Sequence, residues 1–126
     1  MIAIGIGCRK GARKEAIMAI VSDALAQVDA RGMDAKLFTA ENKRDEIGLV
    51  AAACDLALPL DFLPLDALRV VADQIATHSD AAERALGIPS VAEAAALAGC
   101  GAGAQLLLPR IKGDGVTCAI AKGPER

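Results

Sequence analysis

The sequence lacks tryptophan and tyrosine, and Phe38 and Phe62 are its two aromatic residues. Single-stranded nucleic acids are held largely by stacking bases on aromatic rings, so that function class is disfavoured at the outset. A formal net charge of −2 also advertises no general affinity for polyanions such as DNA. There is no long apolar run. The opening stretch Met1 to Ile6 meets Arg9 and Lys10 within a few residues, far short of the ~20 apolar residues of a spanning helix. A secretory signal places its cations before its apolar stretch, the reverse of the order here, so a cytoplasmic location is expected. Histidine occurs once, at His78, and the four cysteines (Cys8, Cys54, Cys100, Cys118) include no closely spaced pair. Zinc and iron–sulfur sites need such pairs, so no metal site and no cofactor are expected, and the thiols read mainly as small buried hydrophobes in a reducing compartment.

What is present is apolar material in quantity. Of 126 residues, 54% are hydrophobic, enough to offset chain entropy in one globular domain spanning residues 1–126. Charge is unevenly placed. Residues 1–14 hold four bases and no acid; residues 15–109 hold six bases and fourteen acids; residues 110–126 hold four bases and two acids. A mildly acidic body with basic ends implies either a local anion site, if the ends meet in the fold, or solvated charges flanking strands.

Hydrophobic periodicity divides the chain into alternating strands and helices. Ile2 to Ile6 reads as a buried parallel strand, and Arg13 to Ala30 as a helix with Ile17, Ile20, Val21, Ala24, Leu25 and Val28 on one face, stopped at Gly32. Ala35 to Thr39 reads as a strand, Asp45 to Ala53 as a helix, and Leu56 to Phe62 as a strand containing Pro59. Pro64 opens a further helix carrying Leu65, Leu68, Val71, Ala72 and Ile75. Ala81 to Leu86 adds a turn or two of helix, and Ser90 to Glu93 has the form of a capping box ahead of an alanine-rich helix ending near Gly99. Ala104 to Leu108 and Val116 to Ala121 are the last strands, joined through Gly113-Asp114-Gly115. The expected fold is α/β: a three-layer domain with a mixed sheet of about five strands, helices on both faces and a C-terminal β-hairpin.

Three segments carry candidate chemistry. Gly5-Ile6-Gly7-Cys8-Arg9-Lys10-Gly11 falls between the first strand and first helix, where glycines permit close approach of a ligand and free amides with Arg9 and Lys10 attract an anion. The alternative is a tight structural turn with exposed charges. Its spacing is neither the dinucleotide fingerprint nor a P-loop, which leaves a general phosphate or nucleotide binder the weakest reading. Cys8 has the cationic neighbours of an activated thiol but no histidine nearby in sequence to act as its base. Thr39 to Leu49 is a polar cluster after the second strand, in which Lys43 and Glu46 either line a ligand or pair locally. Capping accounts for Ser90 and Glu93 without any function, and His78 reads as a partner for a helix C-terminus.

These segments together resemble one family, the CobE/CbiG C-terminal family of cobalamin biosynthesis. Gly5 to Gly11 is similar to its G-I-G-C-R-[RK]-G opening, and Thr39 to Leu49 to its T-x-x-x-K-x-D-E-x-G-L stretch. Pro89 to Ala96 is similar to its P-S-V-A-E-A-A-A signature, and Val116 to Ala121 to its closing V-T-x-A-I-A strand. The resemblance runs in order along nearly the whole chain and implies a place in building the corrin ring. In the longer CbiG form the related domain follows other segments, and the full protein opens the δ-lactone of cobalt-precorrin-5A with release of acetaldehyde. This sequence opens directly on the first motif, so the stand-alone form is expected. The implied ligand is a precorrin or corrin intermediate, whose carboxylates would be held by Gly7, Cys8, Arg9, Lys10 and Gly11, with Lys43 and Glu46 lining or bracing the site. If the chain is instead a lactone hydrolase, Glu46 or Glu93 is the candidate base and Arg9 the oxyanion partner. A third expectation is a module that docks on other cobalamin-pathway enzymes. No nucleic acid or membrane partner is expected.

Overall fold

Ile2, Ala3, Ile4 and Ile6 have no exposed surface, the burial on both sides that places a strand in the middle of a sheet. They belong to β1 (Ile2–Cys8), which pairs in parallel with β2 (Ala35–Ala40) on one side and antiparallel with β5 (Val116–Lys122) on the other. β3 (Leu60–Leu63) extends the sheet beyond β2 in parallel, and β4 (Gln105–Lys112) pairs antiparallel with β5, giving the order β3-β2-β1-β5-β4. β4 therefore runs in the same sense as β1, and β5 alone is reversed within this sheet. The computed structural model describes residues 1–30, 32–75 and 87–124. The expected helical turns at Ala81 to Leu86, and His78, lie outside the described residues.

Helices cover both faces. On one face α1 (Lys14–Ala26) and α2 (Ile47–Leu56) bury Ile17, Ile20, Val21, Leu49 and Ala52 against Ile2, Ile4, Ile6, Cys118 and Ile120. On the other, α3 (Leu65–Val70) and α4 (Val91–Cys100) set Leu68, Ala94 and Ala95 against Ala3, Phe38 and Ala40. The mixed five-stranded sheet, its helical layers and its C-terminal hairpin agree with the sequence-based expectation. No helix among the described residues is long and apolar enough to cross a membrane.

Several boundaries differ, each for a local reason. α1 stops at Ala26 rather than Ala30; the Gln27 amide closes it on Ala24 and the Val28 amide on Leu25, ahead of an acid poorly suited to a helix C-terminus. α2 runs on to Leu56 and ends on Ala57 in the left-handed region, φ 57°, so the strand expected from Leu56 begins only at Leu60. Pro59 stays outside β3 and offers its carbonyl to the Leu37 amide at 2.8 Å. Asp45 and Glu46 precede α2 instead of forming its first turn, after a 3-10 turn at Glu41–Lys43. α3 gives way at Val71 to a second 3-10 turn, Ala72–Gln74. β4 continues past Leu108 to Lys112, with Pro109 absorbed in a stretch of shifted register on this edge strand.

The glycine segment requires the largest correction. Gly5 and Gly7, with Cys8, are not in a loop: they pair with Ala119, Thr117 and Val116 inside the sheet. A Cβ on Gly5 would fall on the Ala92 carbonyl oxygen and within 2.7 Å of the Ala96 amide nitrogen. Gly5 is thus the place where α4 lies directly on β1. Gly99, farther along α4, makes the same allowance for the Phe38 ring, which would stand 2.6 Å from a Cβ there.

Candidate functional site

β1, β2 and β3 all finish at one edge of the sheet, at Cys8, Ala40 and Leu63, and the motif segments meet there. In open α/β sheets this carboxyl edge is where ligands bind. On the α4 face, a Cβ at Gly7 would lie 2.6 Å from Thr117 Oγ1 and 3.7 Å from the Ala92 amide nitrogen. Thr117 Oγ1 donates to the Gly7 carbonyl at 3.3 Å. On the α1 face, Thr39 Oγ1 donates to the Ile6 carbonyl at 2.8 Å, tying β2 to β1 beyond their ladder. Ser90 Oγ accepts from the Glu93 amide at 3.4 Å, the capping bond the sequence implies.

The exposed part of the first motif is the turn Arg9 to Ala12. The Ala12 amide donates to the Arg9 carbonyl at 3.1 Å, and Gly11 sits third in the turn at φ 77°, a position that favours glycine. Its amide projects outward to Glu46, 2.5 Å from Oε1 and 3.3 Å from Oε2. Gly48 reinforces the junction: a Cβ there would stand 3.2 Å from the Lys14 amide nitrogen and closer still to the Ala12 carbonyl. The turn is therefore pinned to the start of α2 by a carboxylate and a close backbone contact.

The structure gathers some expected site residues and separates others. Cys8, Gly11, Lys43 and Glu46 come together. Burial pushes the half-buried Cys8 thiol up from its ordinary value of 9.0; Lys43 lowers it by a smaller amount, and Glu46 raises it. Cys8 is a strand residue whose burial outweighs its cationic neighbour, the opposite of an activated thiol. Arg9 lies on the hairpin side, its amide donating to the Gly115 carbonyl at 2.9 Å and its Cδ 3.5 Å from a Cβ position on Gly115. Lys10 is exposed on the turn. The basic ends of the chain do approach one another here, but Arg13 pairs with Asp114 at 3.4 Å across open surface.

Glu93 has a different environment from the one a general base requires. It is fully buried in α4, and its Oε2 accepts from the Arg110 amide at 2.8 Å, where shifted register interrupts β4 pairing. Its geometry braces an edge strand. The Arg110 side chain, whose Nε is buried without a hydrogen-bond partner among the described residues, belongs to the same corner. Sequence pattern marked Arg110 only as part of a basic end.

Sequence pattern gave no sign of an open cavity of about 470 Å³ beside Glu46, which Arg44, Asp45 and Glu46 line together with Ile47, Val50, Ala51 and Cys54. The last four recur at the spacing of one helical stripe, and it faces outward: Ile47 is 83% exposed and Val50 49%. Arg44 stands over the Phe62 ring, 6.0 Å from its centroid. The cavity volume is within the range of small-molecule sites.

Residues 2–121 match the family described as Cobalamin synthesis G C-terminus. A curated relative, Protein CobE from a Sinorhizobium species, is 32% identical over 124 residues, which is 98% of this chain and 80% of that protein. The crystal structure of CobE, a protein from the cobalamin (vitamin B12) biosynthetic pathway, superposes with a TM-score of 0.89 at 34% identity, covering 100% of this chain and 93% of that one. Cobalamin biosynthesis protein chiG from Agrobacterium tumefaciens str. C58 gives 0.76 at 42% identity, covering 99% and 100%. A cobalamin biosynthesis protein G homolog from Sulfolobus solfataricus, 17% identical, shares the fold at 0.66 over 98% of this chain and 37% of its own.

Proposed function

Because the chain belongs to the cobalamin synthesis G C-terminal family and is a cobalamin biosynthesis protein of the CobE/CbiG type, we propose that it binds a polycarboxylate precorrin or corrin intermediate at the sheet's carboxyl edge. The observation that carries this reading is the cavity along α2, whose wall is apolar and whose end carries Arg44 together with Asp45 and Glu46, with Lys43 the preceding residue in the chain. A corrin precursor offers the complement: an apolar macrocycle fringed with acetate and propionate arms. Arginine can grip such an arm through two parallel hydrogen bonds, while lysine meets it as a point charge. Arg9, on the hairpin side of the turn, and Lys10, exposed on it, are not among the residues that line the cavity. Stacking is not required. The protein would hold the intermediate and hand it on to another cobalamin-pathway enzyme. Hydrolysis of the lactone with Glu93 as the base finds no support in this geometry, since Glu93 is enclosed.

Titration with hydrogenobyrinic acid, followed in the visible spectrum, tests the proposal. A saturable shift at micromolar protein is expected, weakened by salt. The double variant Lys43→Ala/Arg44→Ala should lose about tenfold or more in affinity, given charge-assisted bonds of roughly 1–2 kcal/mol. Lys36→Ala, near the opposite edge of the sheet on β2, should leave binding unchanged. No spectral change and no co-elution, or equal losses in both variants, would overturn the assignment.

A further inference from the structure

We propose that Glu46 is an internal stand-in for a ligand carboxylate, occupying the Gly11 amide until an acid with several carboxylates displaces it. The inference rests on the ligand class proposed above and makes Glu46 a specificity-determining residue of that site: lone carboxylates are turned away and polycarboxylates are admitted. The geometry of the turn is the first support. Gly11 presents its amide on the surface, with nothing within 4 Å of a Cβ placed there, and the group it meets is a carboxylate from 35 residues away. The bond to that amide is chemically the same whether the carboxylate belongs to Glu46 or to an acetate arm.

The position of Glu46 is the second support. It precedes the first turn of α2 with extended backbone angles, φ −79° and ψ 100°, as a capping residue does, yet its side chain makes no capping bond to its own helix. The first-turn amides of α2 therefore offer a displaced Glu46 side chain a second partner a short swing away. Lys43 supplies the third. The Glu46 amide donates to the Lys43 carbonyl at 3.1 Å, so the two residues share one turn, and an arm that replaced Glu46 at Gly11 would arrive on the Lys43 side of the site. Tethering gives Glu46 an effective concentration of about millimolar or more at the amide, which a monocarboxylate present below that concentration does not match. An acid already anchored at Lys43 and Arg44 gains the same advantage and competes on equal terms.

The Gly11 cross-peak in a 15N–1H correlation spectrum reads the contact directly. Acetate is expected to leave that peak unmoved in the wild-type protein and to shift it saturably in Glu46→Ala. Hydrogenobyrinic acid should bind Glu46→Ala about 3- to 10-fold more tightly, the competitor having been removed. Glu46→Gln keeps the side-chain volume and a neutral acceptor, and its acetate response should be intermediate; it serves alone if Glu46→Ala loses its dispersed spectrum. An unmoved Gly11 peak with acetate in the variants, or weaker corrinoid binding on removal of Glu46, overturns the proposal. Failure of the wild-type protein to bind hydrogenobyrinic acid would remove the functional reading above, while the acetate response would still decide whether Glu46 guards the amide.

Discussion

Adding a single methyl group at Gly5 separates two meanings of the glycine-rich opening. If Gly5 serves ligand approach, alanine there should impair binding and leave folding intact. The structure requires the reverse. The new Cβ would coincide with the Ala92 carbonyl oxygen and crowd the Ala96 amide, both main-chain atoms of α4 that cannot rotate away. Relief requires α4 to lift from β1 by about an ångström or more, and a radial gap of that order forfeits roughly a quarter to a half of each contact's dispersion energy. The loss would spread over Ala92, Ala94, Ala95, Ala96 and Leu97, all buried. Overpacking of this kind typically costs about 1–3 kcal/mol, and a clash with main chain belongs at the upper end. Alanine returns ~0.5–1 kcal/mol through the lower entropy of its unfolded chain, leaving a net loss of about 2–3 kcal/mol. For a chain of this size that is a fall in Tm of roughly 10 °C, measurable by circular dichroism or by the urea midpoint. Gly11→Ala, with open space around it, should lose only the ~1–2 kcal/mol of left-handed backbone strain. A Gly5→Ala protein as stable as the parent would refute the close contact of α4 with β1 and return the motif to a ligand role.

Glu93→Ala should destabilise by about 2–3 kcal/mol, combining an orphaned, half-buried amide at Arg110 with one lost methylene; wild-type stability in urea would refute a bracing role. Burial pushes the Cys118 thiol up from 9.0 to about 12. In the unfolded chain it ionises near the lower value, so stability should fall as pH rises from about 9 to about 12, by up to about 4 kcal/mol. Cys118→Ala should reduce that slope, the remainder coming from Cys8, Cys100 and Lys14, whose values are also raised; an unchanged slope would refute the assignment. Thiol labelling of the native protein should reach exposed Cys54 first, the partly buried Cys8 and Cys100 slowly, and Cys118 only on unfolding. Bound hydrogenobyrinic acid should slow labelling of Cys54, a residue lining the cavity; unchanged labelling with ligand bound would place the ligand elsewhere.

Much of the architecture is legible in the sequence because its signals are local. The helical spacing of Ile17, Ile20, Val21 and Ala24, the Ser90 cap and the Gly113-Asp114-Gly115 turn each act within a few residues, and each element is where they indicate. The opening glycines deceived because the group that forbids a side chain at Gly5 is Ala92, nearly ninety positions later. Glu46 has the appearance of a first-turn acid for α2, and nothing nearby in sequence reveals a bond to Gly11. The same holds for Glu93, whose partner is the interrupted pairing of a strand edge. The outward stripe of Ile47, Val50, Ala51 and Cys54 escaped for another reason. α2 is apolar nearly all round, and pattern alone does not tell which of its faces is covered.

The reversed strand between β1 and β4 has a consequence for biosynthesis. β5 is the last of the five strands to leave the ribosome, and it fills the middle of the sheet. Until it emerges, one flank of β1 has no hydrogen-bonding neighbour, and β4 has no strand to pair with. A nascent chain halted near Gly115 should accordingly stay protease-sensitive and in need of a chaperone, however long its earlier helices have had to form.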